Sequence, residues 1–201
     1  MKISELKRKS KKQLKGKWGI AITTLFVSLI IISGFYVTMK LLQPDGGLLP
    51  SIGECVSVFL GGMATLGTCK FVLNLAFGNN EEKFNDLFVG VNIYFKTLGL
   101  WILINLSVSI ATLFLIIPGI IVSLMFSQAF FILCEDNNKS IIECLKQSVS
   151  IMKGHNIRLL LLELSFVGWW IISILTLGIG FLWIYPYQQV TRANFYLEIK
   201  K

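Results

Sequence analysis

The chain has 201 residues, of which 54% are hydrophobic and only 15% charged, with a formal net charge of +8. Soluble domains carry about 25% charged residues, and membrane spans with short loops would use up this chain and leave no stretch for a separate soluble domain. The positive charge is spread along the flanks of apolar segments. That distribution points to anionic lipid headgroups, at about 1 kcal/mol per basic residue near the surface, and away from nucleic acid.

Residues 1–17 are a basic leader. Within it Ile3, Leu6, Ser10, Leu14 and Trp18 recur at three-to-four spacing, with Lys7, Arg8, Lys9, Lys11 and Lys12 between them, which predicts an amphipathic helix. The apolar run from Trp18 to Met39 is too long for a signal-peptide core and no small-residue cleavage site follows it, so it reads as an uncleaved first span. Further apolar stretches give spans at about 55–77, 97–117, 119–134, 157–175 and 179–197. About 20 such residues make a helix that crosses the ~30 Å hydrocarbon layer. The expected turns are Gln43-Pro-Asp-Gly-Gly47, Pro118-Gly119 and Gly178-Ile-Gly180, all built from turn-forming residues.

The second span differs from the rest. Ser57, Gly61, Gly62, Ala64, Thr65, Gly67 and Thr68 give it a small-residue surface on which neighbouring helices can approach closely. After it, Asn79 to Glu82 offers a helix start, and Phe84, Leu87, Phe88 and Val91 share one face of a second amphipathic segment. A third begins at Ser140-Ile-Ile-Glu143, a capping box in which each side chain satisfies the other residue's free backbone N–H. Ile141, Ile142, Leu145, Val149 and Met152 form its expected apolar stripe, Gly154 its left-handed end, and Asn156 the cap of the next helix. Pro186 should kink the sixth span. Trp169, Trp170, Trp183 and Tyr185 suit one interfacial aromatic belt, Trp18 and Tyr196 the other.

The fold expected is therefore all-α: a single transmembrane domain over 1–201, with six spans in three hairpins, each preceded by a cytoplasmic amphipathic helix lying in the interface. The order of amphipathic helix, span, turn and span suggests a threefold internal repeat, with Lys15-Gly16 and Lys153-Gly154 at matching places in the first and third units and no such pair in the middle one. Threaded from a cytoplasmic start, all nineteen Lys and Arg residues except Lys40 fall on or near the inner side, the bias that sets orientation. Both termini are then cytoplasmic.

Little in the chain suggests catalysis or metal binding. Cys55, Cys69, Cys134 and Cys144 have no metal-site spacing and read as small apolar filler, and Cys55 alone would face an oxidising side. His155, the single histidine, lies in a connector, and Asp86, Glu135 and Asp136 in loops. No nucleophile elbow, zinc helix or phosphate loop occurs. The expectation is a non-enzymatic protein with no cofactor and no metal.

The depth of the polar residues is more informative. Thr23, Lys70, Asn105, Gln128, Glu163, Gln189 and Arg192 all fall roughly 6 to 15 Å from the inner ends of their spans. A charge at that depth costs a few kcal/mol unless it is paired or reaches water. These groups are either polar contacts between helices or the lining of a recess open to the cytoplasm, with Lys70, Asn105, Gln128, Glu163, Gln189 and Arg192 as its binding residues. Glu163 and Arg192 are expected to pair. The function read from this is a binding or accessory role toward a lipid or protein partner at the inner leaflet. A small-solute or peptide transporter, and self-protection against a membrane-active peptide, are the alternatives.

Seven segments carry a family resemblance: Leu14-Lys-Gly-Lys-Trp18, Phe84-Asn-Asp-Leu-Phe88, Ile116-Ile-Pro-Gly-Ile120, Met152-Lys-Gly-His155, Leu164-Ser-Phe-Val-Gly-Trp169, Leu175-Thr-Leu-Gly-Ile-Gly180 and Arg192-Ala-Asn-Phe-Tyr196. In this order they resemble an uncharacterised family of bacterial integral membrane proteins, domain of unknown function nine hundred seventy-five. The chain is also distantly similar to the membrane domain of some glycerophosphodiester phosphodiesterases. The resemblance implies a multi-pass protein of the bacterial plasma membrane and assigns no activity. At Ala129-Phe-Phe131 the chain lacks the proline that the family pattern places after the alanine, and with it the residue that would bend the fourth span.

Overall fold

A computed structural model describes residues 2–42, 48–78, 86, 93–176 and 178–200, and every regular element among them is helical. The turn expected at Gln43 to Gly47, the amphipathic face expected on Phe84, Leu87, Phe88 and Val91, and the side chain of Cys55 lie outside the described residues. In chain order the elements are α1 (Ile3–Leu14), α2 (Trp18–Leu29), a π-helical turn (Ile30–Gly34), α3 (Phe35–Leu42) and α4 (Leu48–Phe77). They continue with α5 (Tyr94–Phe114), α6 (Ile116–Phe126), α7 (Ala129–Glu135), α8 (Ile141–Met152), α9 (Asn156–Leu175) and α10 (Phe181–Ile199).

Among the described residues, four helices are long and apolar enough to cross a membrane: Val56–Phe77, Tyr94–Phe114, Ile116–Glu135 and Asn156–Leu175. Two expected spans fall short for visible reasons. The first is interrupted after Leu29 by the π turn, and α10 carries Gln188, Gln189, Arg192 and Asn194.

One end of the bundle collects the basic chain segments. There the Gln13 amide on α1 donates to the Ala76 carbonyl of α4 at 2.6 Å. Lys200 reaches Glu135 of α7 at 2.5 Å, Arg158 of α9 pairs with Glu198 of α10 at 2.7 Å, and Lys96 of α5 donates to the Asn137 carbonyl at 2.8 Å. In this basic half α4, α7 and α10 are buried along runs such as Phe71-Val-Leu73, Phe130 to Cys134 and Ala193 to Tyr196. The far half is bare and apolar, with Leu106, Ile110 and Leu113 on α5, Ile116 and Ile117 on α6, and Ile171, Ile174 and Leu175 on α9 all exposed. In water such a band would be a large aggregation-prone patch; against hydrocarbon it costs nothing.

The amphipathic helices α1 and α8 pack against the bundle. Lys7 of α1 sits 4.1 Å over the Phe166 ring and donates to the Ser165 carbonyl at 2.9 Å, and burial pushes its ammonium pKa down. The two helices also end alike. Lys15, Gly16 and Lys17 have φ −62°, +84° and −119°, and Lys153, Gly154 and His155 have φ −59°, +84° and −109°. Counted back from these glycines, Leu6, Ser10 and Leu14 occupy the same places as Cys144, Ser148 and Met152, and each trio is the buried set of its helix. The two helices are therefore alike in their ends and in their buried sets.

Several local expectations are corrected. Pro118 and Gly119 lie inside the first turn of α6, not in a turn between spans. A proline fits there because its missing N–H would have no partner anyway. The chain reverses at Leu115, which is extended (φ −165°, ψ 146°). Gly119 serves close approach, since a Cβ there would stand 2.1 Å from Thr112 Oγ1. The capping box is formed, with the Ser140 N–H donating to Glu143 at 2.7 Å, and this bond holds the Glu143 carboxyl below its usual pKa. The apolar stripe of α8 is rotated, so that Ile142 is exposed and Cys144 buried. The residue capping α9 is His155, with Asn156 already inside the helix. Tyr196, expected in an aromatic belt, is buried, stacked on Phe131 and hydrogen-bonded to Glu135 at 2.5 Å.

Candidate functional site

The fourth leg breaks between α6 and α7, at Ser127 and Gln128, without a proline. Ser148 of α8 fills the break: its hydroxyl donates to the Met125 carbonyl at 2.6 Å and accepts the Gln128 N–H at 3.3 Å. These are backbone groups that a broken helix would otherwise leave unpaired, and a hydroxyl entering the ladder is a recognised cause of kinking. The break turns the Gln128 side chain into the bundle.

There it helps line a cavity of about 150 Å³. Its walls are Thr65, Thr68 and Cys69 of α4, Ser127, Gln128, Phe130 and Phe131 of the broken leg, Leu159 of α9, and Tyr185, Gln189 and Arg192 of α10. Gln128 and Arg192 are each seven residues from the ends of their legs, Glu135 and Ile199, so the cavity is centred about 10 Å from the basic end. Gln128 is 1% exposed and Thr68 6%. Gln128 Nε2 donates to Ser127 Oγ at 2.8 Å, while Gln128 Oε1 and Thr68 Oγ1 are buried with no hydrogen-bond partner among the described residues. Each such orphan costs about 1–3 kcal/mol.

Arg192 is held from behind. Its Nε donates to Glu163 Oε1 at 2.5 Å. The other Glu163 oxygen accepts from the Gln188 amide, and Gln188 Oε1 accepts from Trp170 Nε1 at 3.1 Å. This chain fixes the guanidinium while its terminal nitrogens, which have no hydrogen-bond partner among the described residues, remain available to the cavity.

Of the six expected binding residues, Gln128, Gln189 and Arg192 line the cavity. Glu163 stands behind it as the partner of Arg192. Lys70 is next to Cys69 but not in the wall. Asn105 is exposed, and its amide turns back to the Trp101 carbonyl of its own helix at 2.8 Å. Thr23 likewise faces outward and bonds the Gly19 carbonyl at 3.0 Å. Sequence reasoning missed Thr65, Thr68, Cys69, Ser127 and Tyr185. The last was legible in principle, because Tyr185, Gln189 and Arg192 fall on one helical face at spacings of four and three.

The family model described as Protein of unknown function (DUF975) matches residues 1–118 and 107–201, which together cover the whole chain. The chain belongs to this family. No curated protein and no solved structure matches it. The expected similarity to glycerophosphodiester phosphodiesterase membrane domains therefore has no counterpart among these matches. Membership brings no activity with it, so function has to be argued from the cavity.

Proposed function

We propose that this protein is a non-enzymatic lipid-binding protein of the bacterial plasma membrane, in which the cavity between α4, the α6–α7 break and α10 takes the anionic headgroup of an inner-leaflet lipid. The reading places the chain as one domain of six spans, with the basic end and both termini in the cytoplasm. The observation that carries it is the free end of Arg192 beside two buried polar atoms that have no partner among the described residues, Thr68 Oγ1, which can donate to a phosphate oxygen, and Gln128 Oε1, which can accept from a headgroup hydroxyl. A polar group entering the cavity would relieve those orphans. Anion preference rests on Arg192, which lines the cavity with its Nε paired to Glu163 and its terminal nitrogens left over. At about 150 Å³ the cavity lies below the ~300–1,000 Å³ of whole small-molecule sites, which suits a headgroup and not a complete ligand.

Replacing Gln128 by leucine tests this. The leucine removes an orphaned acceptor, so stability should be unchanged or slightly raised, while phosphatidylglycerol retained by the purified protein in native mass spectrometry should fall severalfold, the loss expected for the ~1 kcal/mol of one neutral hydrogen bond from a headgroup hydroxyl. Unchanged lipid retention would mean that water fills the cavity and the polar groups serve packing alone. The orientation has its own check. A cysteine introduced at Asn138 should resist an impermeant thiol reagent in intact cells, whereas one at Leu115, at the far end, should react. Labelling at Asn138 would reverse the assignment.

A further inference from the structure

A second depression meets the polar cavity at Tyr185, which lines both. It is a groove of about 390 Å³ between α2 and the start of α10, walled by Leu25, Phe26 and Leu29 on one side and by Phe181, Leu182 and Pro186 on the other. Every one of those residues is apolar. The groove lies toward the far half of the bundle, among residues of the exposed apolar band such as Phe26 and Leu29. From Arg192 back to Phe181 the distance along α10 is about 16 Å at the helical rise. The two depressions thus share Tyr185 as a common wall, with the polar one on its basic side and the apolar one beyond it.

We propose that the groove holds one hydrocarbon chain of the lipid whose headgroup occupies the cavity, so that the ligand is a whole anionic lipid bound between α2 and α10. This rests on the headgroup reading above and extends it. Two features of the structure favour this occupant over another helix or a second copy of the protein. The groove adjoins, across Tyr185, the cavity that Arg192 lines, and the polarity order of the two matches that of an inner-leaflet lipid, head toward the basic end and chain toward the bilayer centre. Its volume also makes up what the cavity lacks, bringing the combined site into the ~300–1,000 Å³ range. The phenol of Tyr185, facing the Gln189 and Ser28 side chains, marks the level at which head gives way to chain.

The test uses lysophosphatidylglycerol with a photoreactive diazirine at the end of its single chain, bound to the full-length protein in neutral detergent. Adducts should map to α2 and to the first turns of α10, around Phe26, Leu29 and Phe181. Leu182→Trp, which fills the groove from a half-buried position, should cut them roughly tenfold, since it displaces several buried methylenes. Leu113→Trp, on the exposed face of α5, should leave them as they are. Ile22→Trp fills the groove from α2 and serves if the first variant does not fold. Adducts spread equally over α5 and α9, or indifferent to both groove-filling variants while Gln128→Leu still lowers lipid retention, would overturn the groove and leave the headgroup site standing. Groove adducts that persist unchanged in Gln128→Leu would remove the headgroup reading and this proposal together.

Discussion

Valine in place of Gly62 should destabilise the fold by about 3 kcal/mol, at the upper end of the cost of overpacking a core. A Cβ at Gly62 would stand 2.7 Å from the Thr97 carbonyl oxygen, 2.9 Å from its carbon and 3.1 Å from the Leu98 Cα. All three are backbone atoms, so no side chain can rotate out of the way. Nor can α4 retreat, because it also packs against α3, α7 and α10. Gly61, one residue earlier, meets only the Trp101 ring, at 3.1 Å, and alanine there should cost much less. Gly168 has nothing within 4 Å of its would-be Cβ. Gly168→Ala should therefore be neutral or stabilising by up to ~1 kcal/mol, the helix-propensity difference. Thermal unfolding of the three variants in one detergent would rank them. Equal midpoints for Gly62→Val and Gly168→Ala would mean that α4 and α5 do not meet at this distance.

The pair formed by Glu163 and Arg192 should give the second large effect. Losing one member of a fully buried ion pair costs ~3–5 kcal/mol because the other is left as an uncompensated charge. Here the Arg192 side chain is 40% exposed and that of Glu163 20%, so about 2 kcal/mol per single replacement by leucine is expected. Glu163→Leu also strands the Gln188 amide that its second oxygen accepts. The double variant should cost clearly less than the sum of the two singles, and that difference in a double-mutant cycle is the measurement. Strict additivity would show that the contact carries no net energy.

That pair was legible because two charges at similar depth on consecutive antiparallel helices have few other ways to be satisfied in hydrocarbon. The capping box at Ser140 and the left-handed glycines at 16 and 154 were legible for a different reason: their partners lie within a few residues. Close packing around Gly61 and Gly62 followed from the run of small residues alone. What escaped was set by residues far away in the chain. The break at Gln128 depends on a hydroxyl twenty positions further on. Pro118-Gly119 looked like a turn because the two residues have turn chemistry, yet a first helical turn accepts proline equally well, and only the packing of α5 on α6 decided between the two.

The same division runs through the site. Counting residues at 1.5 Å each locates a side chain along a helix axis, and by that measure Asn105, Gln128 and Arg192 fall in one band roughly 6 to 15 Å deep. Sequence by itself determined that band, together with the helical class, the apolar legs and the basic end. It could not determine the rotation of each helix about its axis, which depends on which neighbours it packs against. Asn105 faces outward and Gln128 inward. Ile142 is turned out and Cys144 in, and Tyr196 left its expected interface for the stack on Phe131. The cavity itself exists only because three helices distant in sequence turn polar faces toward one point, and rotation costs a single helix nothing until its neighbours are in place.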